Sequence, residues 1–183
     1  MKQTYIRLAT VEDAAVISLL ARITFDQTFG HLFTDRQDLM DYFDRTFSVP
    51  KIESSLGRDS NLFWLAFHDQ LPVGYAKLKL DSPTPFLPRD QVCQLQKIYV
   101  LKDFLSLKIG FQLQEILLQT AIDKGYTYTW LSVLHSNERA IRFYEKTGFS
   151  KLGTHGYSIG QEDFTFFAMG REINPSRASD GPN

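Results

Sequence analysis

Residues 96–121, QKIYVLKDFLSLKIGFQLQEILLQTA, decide how the rest of the chain folds. Ile98, Tyr99 and Val100 are residue types that suit a strand. Ile109, Leu113, Ile116, Leu117 and Thr120 then recur at helical spacing, which predicts a helix with one face on a core. Between strand and helix the sequence predicts a tight turn with Gly110 inside it, where close backbone approach is needed. A strand that runs straight into a helix aims the first helical N–H groups, which lack internal partners, at one spot, and that suits a phosphate. Lys108 adds positive charge beside it.

Working outward, Lys124-Gly125 ends the helix, and the strand predicted at Thr127–Leu134 lies beside Val92–Val100 through a right-handed crossover. Ser136 or Asn137 caps a helix through Tyr144 that stops at Gly148, and Lys151–Ile159 with Phe164–Met169 read as a last hairpin. Upstream, Tyr5–Leu8 is a short strand, and Thr10 with Asp13 forms a capping-box signal for a helix burying Ala14, Ile17, Leu20, Ala21 and Thr24. Thr34 with Gln37 repeats the signal before Leu39, Met40, Phe43 and Phe47, and Pro50–Leu56 is a short helix ended by Gly57. These helices present an aromatic rim of Phe25, Phe29, Phe33 and Tyr42. Leu62–Phe67, a turn over residues 69–72 and Val73–Leu80 make a hairpin, followed by a loop marked by Pro83, Pro85 and Pro88.

The 183 residues, 43% apolar and 14% aromatic, suffice for one domain with a sizeable core. A net charge of −1 supplies no basic footprint for nucleic acid and no cationic face for a membrane, so neither partner is expected. Cys93 is the only cysteine, which excludes an internal disulfide or a cysteine-cluster zinc site and fits a reducing compartment. The opening residues lack the apolar core of a signal peptide, and no run reaches the roughly 18 apolar residues of a membrane span. The cytoplasmic compartment is therefore the expected location. His31, His68 and His155 show no metal-ligand spacing, so no metal is expected.

The stretch Asn137-Glu-Arg-Ala-Ile-Arg-Phe-Tyr-Glu-Lys-Thr-Gly-Phe149 sets Ala140, Phe143 and Tyr144 three and four apart on one helical face. It resembles motif B of the GNAT superfamily of N-acetyltransferases. The loop Leu105-Ser-Leu-Lys-Ile-Gly110 resembles the pyrophosphate loop of that superfamily's motif A, with only the last glycine kept. Ile23-Thr-Phe-Asp-Gln-Thr-Phe29 and Gly153-Thr-His-Gly-Tyr157 are similar to the PaiA-type bacterial polyamine (spermidine/spermine) N-acetyltransferases. The resemblance implies a single-domain α/β acyl-CoA N-acyltransferase fold over residues 3–173, a central mixed sheet with helices on both faces, and a polar tail at 174–183. It implies acetyl-CoA as co-substrate and a small-molecule primary amine, such as a polyamine, as acceptor, and it leaves a homodimer open.

Residue roles follow from the same resemblance. The backbone of Ile98, Tyr99 and Val100 would hold the acetyl carbonyl and pantetheine, and N–H groups of Ser106, Leu107, Lys108, Ile109, Gly110 and Phe111 the pyrophosphate. Asn137 would touch the pantetheine arm, and Tyr144 would protonate the departing thiolate. Plainer roles stand beside these: a core aromatic for Tyr144, a helix cap for Asn137, inert core for Cys93. Gln94 and Gln96 stand where relatives often carry a glutamate base, and an amide takes no proton. His135, Tyr144, water or an amine whose pKa is lowered by desolvation are left for that task. Asp26, Asp35, Asp38 and Asp41 near the rim favour a cationic acceptor, or form a solvated helix face. Two rivals remain: a non-catalytic interaction module that binds acyl-CoA or nothing, and an enzyme acylating a protein N-terminus or lysine.

Overall fold

The computed structural model describes residues 3–173, and the tail expected at 174–183 lies outside them. Strand β1 is Thr4–Leu8, and a short 3-10 turn leads into helix α1, Ala14–Phe29. The capping box forms as expected: the Thr10 N–H donates to Asp13 Oδ2 at 2.8 Å, and Asp13 also takes two hydrogen bonds from Arg7. Helices α2, Arg36–Thr46, and α3, Val49–Leu56, follow. The cap of α2 is Asp35, which accepts from the Gln37 N–H, and not Thr34, whose N–H instead donates to Glu162 at 2.8 Å. A carboxylate one residue further on made the better acceptor.

Strands β2, Asn61–His68, and β3, Leu71–Lys79, meet at a turn of only Asp69 and Gln70, both at positive φ, rather than over four residues. Strand β2 reads as an unbroken apolar run because both its faces are covered. Phe63 and Leu65 join α1, α2 and α3 in one core, while Trp64 and Ala66 join a second core on the opposite face. That second core is filled by helix α4, Ile109–Asp123, which lies between β4, Val92–Val100, and β5, Tyr128–Leu134. Helix α5, Glu138–Lys146, and the hairpin β6, Ser150–Ile159, with β7, Glu162–Glu172, complete the chain. Among the described residues seven strands form one mixed sheet in the order β1-β2-β3-β4-β5-β7-β6, parallel only between β4 and β5. Helices lie on both faces, as expected. Among the described residues no helix is long and apolar enough to cross a membrane.

The connection after β4 differs from the tight turn read in the sequence. Residues Lys102–Leu107 form a 3-10 helix, Lys108 takes a left-handed conformation at φ 57°, and Gly110 sits inside the first turn of α4. The inward face of α4 is also rotated: Ile109, Leu113 and Leu117 are buried as expected, but Gln114, Leu118 and Ala121 join them in place of Ile116 and Thr120. Just past the end of α4 lies Gly125, whose positive φ of 84° a side chain would strain.

Candidate active site

Strands β4 and β5 pair at only three positions, Val92 with Tyr128 through Gln94 with Trp130, and then separate. A bulge in β4 helps to explain the divergence: its register with β3 jumps from Lys97 to Leu95 and leaves Gln96 unpaired, which bends and twists the strand. Beyond Gln94, the edge of β4 that faced β5 has no strand beside it among the described residues. Two cavities open at this gap, one of about 750 Å³ and one of about 340 Å³. Ile98, Tyr99, Asn137, Ala140 and Tyr144 border both.

The larger cavity runs from the end of β4 over the start of α4 to α5, and its wall includes Val100, Leu105, Lys108, Gly110, Phe111 and Phe143. Lys102, Lys108 and Arg139 line it with no Asp or Glu among the described residues, so the field favours an anion. The Lys108 carbonyl accepts from the Phe111 and Gln112 N–H groups, which leaves those of Ile109 and Gly110 as the unpaired start of α4. A Cβ built at Gly110 would meet no atom within 4 Å, so this glycine faces open space.

The smaller cavity lies between the sheet, α1 and the last hairpin. Its walls are aromatic, with Phe25, Phe29, Tyr42, Phe164 and Phe166, and polar at Gln94, Gln96, Lys97, Ser132 and His155. His155 Nε2 lies 2.8 Å from Ser132 Oγ, and its ring stacks on Phe166 at 5.5 Å. Tyr144 packs edge-on to Phe143 and Phe149, while its hydroxyl has no hydrogen-bond partner among the described residues. Burial pushes that phenol well above its ordinary value, so it holds its proton at neutral pH. Asn137 does cap α5, its side-chain oxygen accepting from the Ala140 N–H at 3.2 Å, and still borders both cavities.

Of the sites expected from sequence, Ile98, Tyr99, Val100, Lys108, Gly110, Phe111, Asn137 and Tyr144 are brought together at the gap. Ser106, Leu107 and Ile109 are not among the lining residues, and Ile109 is fully buried in the core beneath α4. His135 is exposed, with Nδ1 3.0 Å from the Thr165 carbonyl oxygen, and borders neither cavity. The four aspartates near the rim are engaged elsewhere. Asp26 pairs with Arg36 at 2.7 Å, Asp35 caps α2, Asp38 accepts from the Gln161 N–H, and Asp41 accepts from the Gln37 amide. Cys93 is fully buried, and burial pushes its thiol up to about 11, which fits inert core. Lys97, Lys102 and Arg139 line the gap without having been singled out by sequence reasoning, and His155, weighed there only as a metal ligand, lines it too. Two-residue alternation from Tyr99 was the available signal for Lys97, and position within the Asn137–Phe149 stretch was the signal for Arg139.

Residues 24–149 match the acetyltransferase (GNAT) family. An uncharacterized N-acetyltransferase of Mycobacterium bovis is 30% identical over 137 residues, covering 75% of this chain and 83% of that one. Another uncharacterized N-acetyltransferase, from Lactobacillus delbrueckii subsp. lactis, is 24% identical over 84% of this chain and 88% of its own. Among solved structures, the PaiA N-acetyltransferase of Thermoplasma acidophilum in complex with coenzyme A superposes with a TM-score of 0.74 at 21% identity, covering 93% of this chain and 99% of that one. At that identity the likeness speaks for the fold.

Proposed function

Because the chain belongs to the acetyltransferase (GNAT) family, we propose that its two cavities divide one reaction between them. Acetyl-CoA lies along the larger, a small primary amine enters the smaller, and transfer takes place where the two share a wall at Tyr144. That shared wall is the observation that carries the reading. The larger cavity fits the coenzyme: three cations, two unpaired helical N–H groups and the space over Gly110 suit a diphosphate. When bound, acetyl-CoA supplies an activated acyl carbon and a thiolate leaving group.

The chain's own residues supply the rest. The β4 edge beyond Gln94 has lost its strand neighbour, so main-chain N–H groups near Ile98–Val100 are placed to stabilise a developing oxyanion. Bringing both reactants to one wall gives the orientation that makes the encounter productive. The attacking amine must lose a proton on the smaller-cavity side, where Gln94 and Gln96 cannot accept one. His155, oriented by Ser132, is the imidazole in that wall and takes this role in place of His135. The Tyr144 hydroxyl, protonated and without a partner among the described residues, returns a proton to the thiolate. The charge argument for a cationic acceptor does not carry over to this cavity, since none of the four rim aspartates lines it.

The test measures free CoA released from acetyl-CoA and a panel of primary amines. Tyr144→Phe is expected to lower kcat by roughly 10²–10⁴-fold with acetyl-CoA affinity and melting temperature near those of the parent. Normal turnover in Tyr144→Phe rejects the acid role. Calorimetry showing no binding of acetyl-CoA at millimolar concentration rejects the whole reading and favours the interaction module.

A further inference from the structure

Lys97 is the one Lys or Arg lining the smaller cavity, and no Asp or Glu joins it there among the described residues. It projects on the same face of β4 as Tyr99, its ammonium 5.6 Å from the centre of the Phe47 ring and 5.9 Å from that of Tyr99. It has no ion-pair or hydrogen-bond partner among the described residues. Its cross-strand neighbour on β3 is another cation, Lys77, whose own Nζ is held 3.0 Å from Ser55 Oγ. A partly buried cation beside a second cation is unfavourable without an anion, and the described residues supply none there. The rest of the wall holds no acidic side chain: it is aromatic at Phe25, Phe29 and Tyr42 and polar at Gln94, Gln96, Ser132 and His155.

We propose that the missing anion arrives with the acceptor: the smaller cavity takes an amine that also carries a carboxylate, seated on Lys97, with an apolar body against the aromatic walls. The proposal rests on the acetyl-transfer reading above and names the acceptor class for it. A carboxylate is preferred to a phosphate because one lysine matches one charge, whereas phosphate sites gather several donors or a planar guanidinium. A polyamine meets the opposite situation, a cation facing a cation with no carboxylate to offset either. Lys97 and Tyr99 stand two residues apart on β4, about 7 Å along the strand. Both ends of such an acceptor, the acid group on Lys97 and the amine near the Ile98–Tyr99 backbone, then lie in the one cavity.

The test separates binding from turnover. 3-Phenylpropionate, phenethylamine and spermidine are titrated by calorimetry into the full-length protein without acetyl-CoA, in the parent, Lys97→Met and Lys97→Arg. The parent is expected to bind 3-phenylpropionate about 10- to 100-fold more tightly than phenethylamine, the range for a charge-assisted hydrogen bond. Lys97→Met abolishes that preference and Lys97→Arg retains most of it. The same substitutions are then scored by kcat/KM for phenylalanine against phenethylamine and for lysine against cadaverine. Equal or tighter binding of either amine, no binding of the carboxylate, or a preference that survives Lys97→Met overturns the proposal. The last of these outcomes leaves Lys97 as a packing residue over Phe47. Because the binding arm needs no coenzyme, its failure is distinct from failure of acetyl-CoA to bind.

Discussion

At the residue scale, the placement of Lys97 has a measurable cost to the fold. Burial lowers its ammonium from the ordinary 10.5 to about 8, and the titratable groups placed beside it are Lys77, its partner on β3, and Tyr99, neither of them an acid that would be ionised at neutral pH. The folded-state value lies below the unfolded one, so below about pH 8 both states carry the proton and the burial penalty is fully present. Between about 8 and 10.5 the folded protein gives up the proton first, and the parent gains stability as pH rises. Lys97→Met is therefore expected to stabilise the protein at pH 7 by on the order of 1–3 kcal/mol, a gain that shrinks through that window. Urea unfolding of both proteins at pH 7, 9 and about 10.5 checks this, and a gain independent of pH would place the benefit in packing alone. Tyr144 is a contrasting case, since its raised value keeps a proton ready for transfer where that of Lys97 weakens its charge.

At the element scale, α4 separates what helps folding from what helps binding. Gly110 has ordinary helical geometry and empty space beyond its Cα, so Gly110→Ala is expected to stabilise the apo protein by roughly 0.5–1 kcal/mol. The added methyl enters the cavity, so the same change is expected to weaken acetyl-CoA binding. Thermal melting with and without acetyl-CoA reads both, and an unchanged affinity would mean the coenzyme does not cross this turn. Strand β4, α4, β5 and α5 were legible because apolar periodicity and the Asn137–Phe149 spacing point to the same elements. The 3-10 segment Lys102–Leu107 was not, since its apolar Phe104, Leu105 and Leu107 read equally as turn or helix. The smaller cavity was not legible either: it lies where β4 and β5 part, next to the bulge at Gln96, and no local pattern in the sequence marks that point. Nor does sequence reveal that Asp26 and Asp38 turn to Arg36 and the Gln161 N–H, contacts that depend on where the helices and hairpin lie in the fold.

At the scale of the whole molecule, the gap divides the sheet into β1–β4 and β5–β7, joined across it by three residue pairs and by the helices. The larger cavity draws its walls from α1, β4, α4 and α5, so a ligand there ties the two parts together. Acetyl-CoA at 100 times its dissociation constant adds about 2.7 kcal/mol. For a chain of this size that is expected to raise the melting temperature by roughly 5–11 °C in a scanning experiment, and the absence of any shift would count against the coenzyme site. The parting of β4 from β5 also bears on heredity. The proposed oxyanion donors belong to the peptide bond and not to any side chain, so an alanine scan along Ile98–Val100 passes over them unseen. Among the coded amino acids only proline deletes such an N–H. The acceptor wall, made of side chains such as Lys97 and Tyr42, is open to revision one codon at a time, so descendants of this gene can exchange one amine for another while inheriting the same transfer chemistry.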